Sequence, residues 1–342
     1  MKTSPKTTAS RRQFIRSAAL CATGWAGLRW TNNAFAQAAQ PPGGLVELKR
    51  DPATGTFAFD TAQISGVIQP EGAYHGITQL ADKRTGRVLT DTRYSALNLY
   101  RLFSVNLGMG TPRDMTRTVK ATATSVEIRW PASEAHQGEI TARYEVRQPN
   151  LIDLTVTLRC RGTYAGYEVL LPSYFDKSLV PHVYLKRRAK GKGPVEADLV
   201  APTVNDVFRG GVLMFPRDAH MARHCVDGRW DRSEYKMSTA PFFPVRHYAH
   251  PLAFLADPQK QMAVVLMSQT RACAGVSCRY HAEKDEDRLT TYSAIDLSLF
   301  GDDLVPGDER TVRVRLAVTP LDEAMSQPMK LYEAFVAETE KP

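Results

Sequence analysis

Apolar and polar residues alternate with a period of two along much of this chain. Ile140, Ala142, Tyr144 and Val146 interleave with Glu139, Thr141, Arg143, Glu145 and Arg147, and Ile152, Leu154, Val156, Leu158 and Cys160 interleave with Asp153, Thr155, Thr157 and Arg159. Successive side chains on a strand point to opposite faces, so each run predicts a long strand with one buried face and one wet face. Pro149-Asn150 between the runs predicts the turn of a hairpin. Residues 289–300 and 311–318 predict a second such pair, across a turn at Pro306-Gly307-Asp308.

Further strands are predicted at 94–105, 118–130, 167–175, 180–185, 211–215 and 261–268. Helix signals are scarce. The clearest starts at Gln327-Pro328, where proline suits a first turn, and carries Leu331, Tyr332, Phe335 and Val336 on one side up to Glu340. Many strands with almost no helix between them predict the all-β class: a large antiparallel β-sandwich with few short helices. No fixed-period repeat points to a propeller or solenoid.

The first 36 residues follow a different pattern. Ser10, Arg11, Arg12, Gln13, Phe14 and Ile15 lie in a cationic stretch, a mildly apolar run follows, and Ala34-Phe35-Ala36 offers the small residues that a signal peptidase reads. This resembles a twin-arginine export signal, with Arg11 and Arg12 as its arginines and cleavage after Ala36. The resemblance implies the Tat machinery as a partner and a periplasmic or secreted location. Thr23 and Gly24 stop the apolar run short of the ~20 residues that a membrane span needs, and no later segment resembles one. The expected organisation is a signal peptide over 1–36, a linker over 37–44 and one β-sandwich domain over 45–342.

Removing the leader changes the charge. The full chain has 44 Lys and Arg against 36 Asp and Glu, a net charge of +8. The leader holds six of those bases and no acids, so 38 bases face 36 acids in the remaining 306 residues, a net charge of +2. Bulk basicity therefore gives no support to a nucleic-acid partner, and no DNA-binding spacing replaces it. Of five cysteines, Cys21 falls in the leader; Cys160, Cys225, Cys273 and Cys278 are read as buried free thiols in preference to two disulfides. They lack paired C-x-x-C spacing, and no zinc or other metal site is expected. There is no G-x-S-x-G elbow, no phosphate loop and no motif that calls for a cofactor.

Three stretches resemble the galactose mutarotase-like (aldose 1-epimerase-like) superfamily. They are Gly72-Ala73-Tyr74-His75-Gly76-Ile77, the hairpin through Pro149-Asn150, and Asp296-Leu297-Ser298-Leu299-Phe300-Gly301 with Leu304, Pro306-Gly307 and Tyr332. The resemblance implies a β-supersandwich that binds sugars on a concave sheet face. The family's histidine acid and late glutamate base have no counterpart here in a matching context, so its catalytic residues are not carried over.

Residues 208–251 concentrate the side chains suited to that ligand class, including four of the eight histidines. Aromatic rings cover the C–H faces of a pyranose while planar polar groups hold its hydroxyls. The acid and base candidates are His247, His250, Glu234, Asp231 and Tyr235. Those for substrate binding are Trp230, Arg232, Arg246, Tyr248, Phe243 and, outside the segment, His75. An imidazole exchanges protons near neutral pH, a carboxylate beside arginine stays ionised, and an arginine such as Arg246 or Arg232 would neutralise a uronate while a tyrosine abstracted its proton. Two functions remain open at this point: a carbohydrate epimerase or lyase using acid and base catalysis, and a non-catalytic carbohydrate-binding or envelope-associated protein.

Overall fold

The computed structural model describes residues 43–104, 110–187, 196–202, 213–226, 246–259, 261–279 and 292–340, without the side chains of 223–226. Its first strands are β1 (Lys49–Arg50), β2 (Phe57–Asp60), β3 (Ile64–Gln69), β4 (Gly76–Asp82) and β5 (Arg87–Val88), which pair in that order as one antiparallel sheet. There follow β6 (Arg101–Phe103), β7 (Thr118–Ala121), β8 (Ser125–Trp130), β9 (Gly138–Arg147), β10 (Leu151–Cys160), β11 (Tyr164–Phe175), β12 (Val180–Lys186), β13 (Ala197–Val200) and β14 (Leu213–Pro216). Helix α1 (Ala219–Val226) comes next, then β15 (Tyr248–Ala256), β16 (Met262–Ser268), β17 (Cys273–Arg279), β18 (Ser293–Leu304), β19 (Glu309–Pro320) and helix α2 (Gln327–Thr339).

Nine strands form a large antiparallel sheet in the order β13-β12-β15-β16-β19-β10-β9-β8-β7, and five form another in the order β14-β17-β18-β11-β6. The class is all-β, an antiparallel sandwich with two short helices among the described residues. The hairpin read from alternation is present, with Ile152 opposite Val146 and Leu158 opposite Ile140. The second expected pair is not a hairpin. β18 pairs with β11 and β17 in the five-stranded sheet, whereas β19 pairs with β10 and β16 in the nine-stranded one, so the 305–308 turn carries the chain between layers. Alternation fixes which face of a strand is apolar but not which sheet accepts it.

The main core lies between the sheets. Tyr144, Val156 and Val314 of the nine-stranded sheet share one buried apolar cluster with Val169, Leu171, Ile295 and Leu297 of the five-stranded sheet, and Ile64, Ile77 and Leu80 of the first sheet join it. The opposite face of the nine-stranded sheet is covered by α2, whose Tyr332 and Phe335 pack on Leu252, Phe254, Val265 and Met267. An ion cluster ties the helix down. Arg315 donates to both carboxylate oxygens of Asp153, at 2.6 and 2.9 Å, and stands 2.9 Å from Glu338 of α2. Cys160, Cys273 and Cys278 are buried free thiols, and no helix among the described residues is long and apolar enough to cross a membrane.

Candidate functional site

The second face of the five-stranded sheet collects charge. On β18, Ile295, Leu297 and Leu299 enter the core, so Ala294, Asp296 and Ser298 take the other face. On β11 the alternation with Val169 and Leu171 places Glu168, Leu170, Pro172 and Tyr174 there; on β17, alternation with Val276 and Cys278 does the same for Ser277 and Arg279. Register then lines these residues up across the strands. The Asn98 N–H donates to the Pro172 carbonyl at 3.1 Å, Pro172 pairs with Asp296, and Asp296 with Ser277. Tyr174 and Ala294 with Arg279 form the next row.

Asp296 is fully buried. One carboxylate oxygen accepts from the Ser277 hydroxyl at 3.1 Å and lies 3.9 Å from Arg279 Nε; the other has no hydrogen-bond partner among the described residues. Burial raises its pKa above the usual carboxylate range, against the opposing pull of Arg279 and Ser277. Arg279 Nη1 donates to the Tyr292 hydroxyl at 2.8 Å. Burial works against the Arg279 charge, but Tyr292 and Asp296 outweigh it and hold the guanidinium firmly protonated.

Four tyrosines converge beside this pair. Ring centroids of Tyr74 and Tyr94 lie 4.7 Å apart, Tyr94 and Tyr174 4.9 Å, Tyr174 and Tyr292 4.8 Å, and Tyr94 and Tyr292 5.3 Å. Tyr174 and Tyr292 are buried while Tyr74 and Tyr94 are half-exposed. Tyr74 and Tyr94 also line a cavity of about 420 Å³ shared with Gln69, Thr78, Thr90 and Asp91. Asn98, whose two side-chain amide atoms lack partners among the described residues, is fully buried between Leu97 and Leu99, both of which enter the core. Leu97 adopts a left-handed φ of 56°; its N–H donates to Ser173 Oγ at 2.9 Å and its carbonyl accepts from the Tyr144 hydroxyl at 2.8 Å. Such a rigid, planar and partly unsatisfied polar set beside clustered rings is suited to holding a hydroxylated ring.

Of the site residues chosen from sequence, those described, Arg246, His247, Tyr248, His250 and His75, are engaged away from this face. Tyr248 points into the main core and donates its hydroxyl to the Cys273 carbonyl at 2.6 Å, with burial pushing its pKa upward. His250 sits on the opposite face of the nine-stranded sheet, 5.3 Å from the Tyr332 ring of α2, and burial lowers its pKa. His247 offers its carbonyl to the Lys186 N–H at 2.9 Å, and Arg246 is engaged by Asp198 at 2.6 Å.

His75 is buried: its Nε2 accepts from the Leu99 N–H at 3.1 Å, an Arg117 nitrogen stands 3.2 Å from Nδ1, and burial with these cations lowers its pKa to about 3. The close approach that Gly76 permits is to backbone, since a Cβ there would lie 2.3 Å from the Ala96 carbonyl oxygen at a φ of +121°. Trp230, Asp231, Arg232, Glu234, Tyr235 and Phe243, and Arg11, Arg12 and Ala36 of the leader, lie outside the described residues. The two histidines at 220 and 224 share α1, and the described residues contain no group of three metal-ligating side chains.

Sequence reasoning passed over Asp296, Arg279, Tyr174 and Tyr292. A signal existed for the first: Asp296 interrupts Ala294-Ile295-Asp296-Leu297, an otherwise apolar run. A charge at such a position on a doubly covered strand is costly unless something local uses it.

No protein-family model matches the chain, and no curated protein matches it. Among solved structures it is similar to a putative aldose 1-epimerase from Escherichia coli K12, at 9% identity over 78% of this chain and 99% of that one, with a TM-score of 0.46. It is also similar to galactose 1-epimerase from Lactobacillus acidophilus, at 8% identity over 81% of this chain and 98% of that one (TM-score 0.41). A mutant of heparan sulfate lyase from Pedobacter heparinus is similar at 7% identity over 81% of this chain and 37% of that one (TM-score 0.42). At these values the likeness assigns no activity to this chain.

Proposed function

We propose that the protein binds a carbohydrate on the second face of the five-stranded sheet. The observation that carries this reading is the cluster of Tyr74, Tyr94, Tyr174 and Tyr292 packed beside the Arg279–Asp296 pair and bordering the cavity. Tyrosine rings present flat apolar surface to sugar C–H groups, while Asn98 and Asp296 offer unpaired buried polar atoms to hydroxyls. Titration calorimetry with a panel of neutral and acidic oligosaccharides tests it: saturable binding to at least one sugar is expected, and its absence across the panel overturns the reading.

A second reading adds acid and base catalysis of epimerase or lyase type. It is favoured by one observation, a carboxyl with raised pKa and a tyrosine hydroxyl that both face Arg279. Asp296 would supply the base and Tyr292, kept protonated by burial, the acid. Anomeric exchange followed by NMR and absorbance from new unsaturated ends test it; silence in both assays with a sugar that binds leaves the protein a binder.

The leader gives the place of action. Arg11, Arg12 and the site after Ala36 support export by the twin-arginine route to the periplasm or beyond. Changing both arginines to lysine is expected to retain the precursor in the cytoplasm, and N-terminal sequencing of the exported form should begin at Gln37; export of the lysine variant at the normal rate would contradict it.

A further inference from the structure

Arg113 is a cation without an acidic partner among the described residues. Its guanidinium carbon lies 3.9 Å from the centre of the Tyr100 ring and 5.0 Å from that of Tyr74, so the group is held between two aromatic faces. Nη1 stands 3.4 Å from the Tyr74 hydroxyl, while Nε is buried with no hydrogen-bond partner among the described residues. Among the described residues no carboxylate lies within ion-pair distance of it, whereas neighbouring arginines are paired: Arg117 with Glu71 at 3.3 Å, Arg93 with Asp91 at 3.3 Å and Arg279 with Asp296 at 3.9 Å.

The arrangement is built, not left over. Asp114, the acid next in sequence, is turned to Thr111, whose hydroxyl donates to it at 2.6 Å. Trp130 Nε1 donates to the Pro112 carbonyl at 2.8 Å and fixes the turn that presents Arg113. Bracketing a guanidinium between rings desolvates its faces and leaves its edge as the hydrogen-bonding surface, which matches the planar, two-oxygen geometry of a carboxylate. A buried donor without a protein acceptor is rare and leaves Nε able to take an acceptor from outside the chain. Tyr74 connects this edge to the sugar face: its ring meets Tyr94 edge-on, with centroids 4.7 Å apart, and lines the same cavity.

We propose that Arg113 binds the carboxylate of a uronate residue, making the site selective for acidic over neutral sugars. The inference rests on the carbohydrate reading and names the class of sugar. Tyr74 then has two tasks, stacking on the pyranose and orienting the guanidinium through its hydroxyl.

The test uses the full chain and pairs of trisaccharides, galacturonate, glucuronate and mannuronate trimers, each beside its carboxyl-reduced neutral counterpart. Calorimetry should show a uronate bound at least about tenfold tighter than its neutral partner, the factor expected of one charge-assisted bidentate contact. Arg113→Gln should remove that preference while neutral binding stays within about twofold, and Arg113→Lys, which keeps the charge but not the planar fork, should restore part of it. Raising the salt concentration should weaken uronate binding alone. Equal affinity for acidic and neutral partners, or a preference that survives in Arg113→Gln, overturns the inference and leaves the carbohydrate reading standing. Failure of every sugar to bind the unaltered protein overturns both. Should Arg113→Gln fail to fold, the Lys variant and the salt dependence decide.

Discussion

Arg279, the last residue of β17, meets Tyr292, the residue before β18, with Nη1 donating to the phenol at 2.8 Å, and from that position Arg279 also faces the buried Asp296 at 3.9 Å. One cation therefore stabilises a carboxylate and orients a hydroxyl on the same sheet face. Replacing Arg279 by Met leaves Asp296 buried without its counter-charge. We expect a loss of roughly 3 kcal/mol at neutral pH, since removing one partner of a buried pair strands the other. Urea denaturation measures it, and an unchanged midpoint would remove Arg279 from the account.

Asp296 sets a pH dependence of defined sign. Its folded pKa lies above the unfolded value, so its contribution to stability is complete below the usual carboxylate range and is lost as pH rises through the folded pKa. Asp296→Asn lacks that loss. The stability difference between variant and wild type should therefore shift in favour of Asn as pH is raised from 3.5 to 7, and a shift in the other direction would show that the carboxylate is better stabilised in the fold than in water.

His75 and His136 act in the opposite direction. Both are buried; burial, helped at His75 by Arg117 and Arg113, lowers their pKa values to about 3 and about 4. A histidine with a depressed pKa stabilises the fold above its unfolded value near 6.5, and that stability is lost as pH falls towards the folded value. Each should contribute a slope of about 1.4 kcal/mol per pH unit between pH 6 and pH 4.5. His136→Gln should flatten the acid limb of the denaturation profile by about that amount, and an equally steep limb in the variant would contradict it.

Asp153 joins Arg147 and Arg315 under α2, where it accepts at 2.9 Å from the first and at 2.6 and 2.9 Å from the second. Asp153→Ala should cost about 3–5 kcal/mol, because Arg315 stays buried with only Glu338 to face. Thermal unfolding followed by circular dichroism reads this directly. Glu338→Gln, at the half-exposed end of the cluster, should cost less than half as much.

Alternation made some strands legible, although β2 and β3, which alternate as well, were passed over and the wholly buried β16 was read as a strand. β9 and β10 declare themselves by strict alternation, and α2 by proline at its start and the Leu331, Tyr332, Phe335 and Val336 spacing. β15 and β17 were not legible. Nearly every residue of each is buried, so the period of two vanishes from the sequence. The site was obscured for the same reason. Asp296, Arg279 and Tyr174 lie on strands more than a hundred residues apart in sequence at the extremes, and only register in the folded sheet makes them neighbours. Local clustering of chemistry-bearing residues drew attention to 208–251 instead, yet Arg246, Tyr248 and His250 are directed to Asp198 of β13, the core and α2, and His247 gives its carbonyl to the Lys186 N–H.

The central claim, that a sugar lies on the tyrosine-lined face and not beside α2, is tested most directly by one paired titration. Wild type, Tyr94→Ala and His250→Ala are titrated by calorimetry with the tightest sugar of the panel. Tyr94→Ala should lose binding by at least about tenfold, the scale of one aromatic contact, with His250→Ala indistinguishable from wild type. Binding that survives in Tyr94→Ala and fails in His250→Ala would contradict the account.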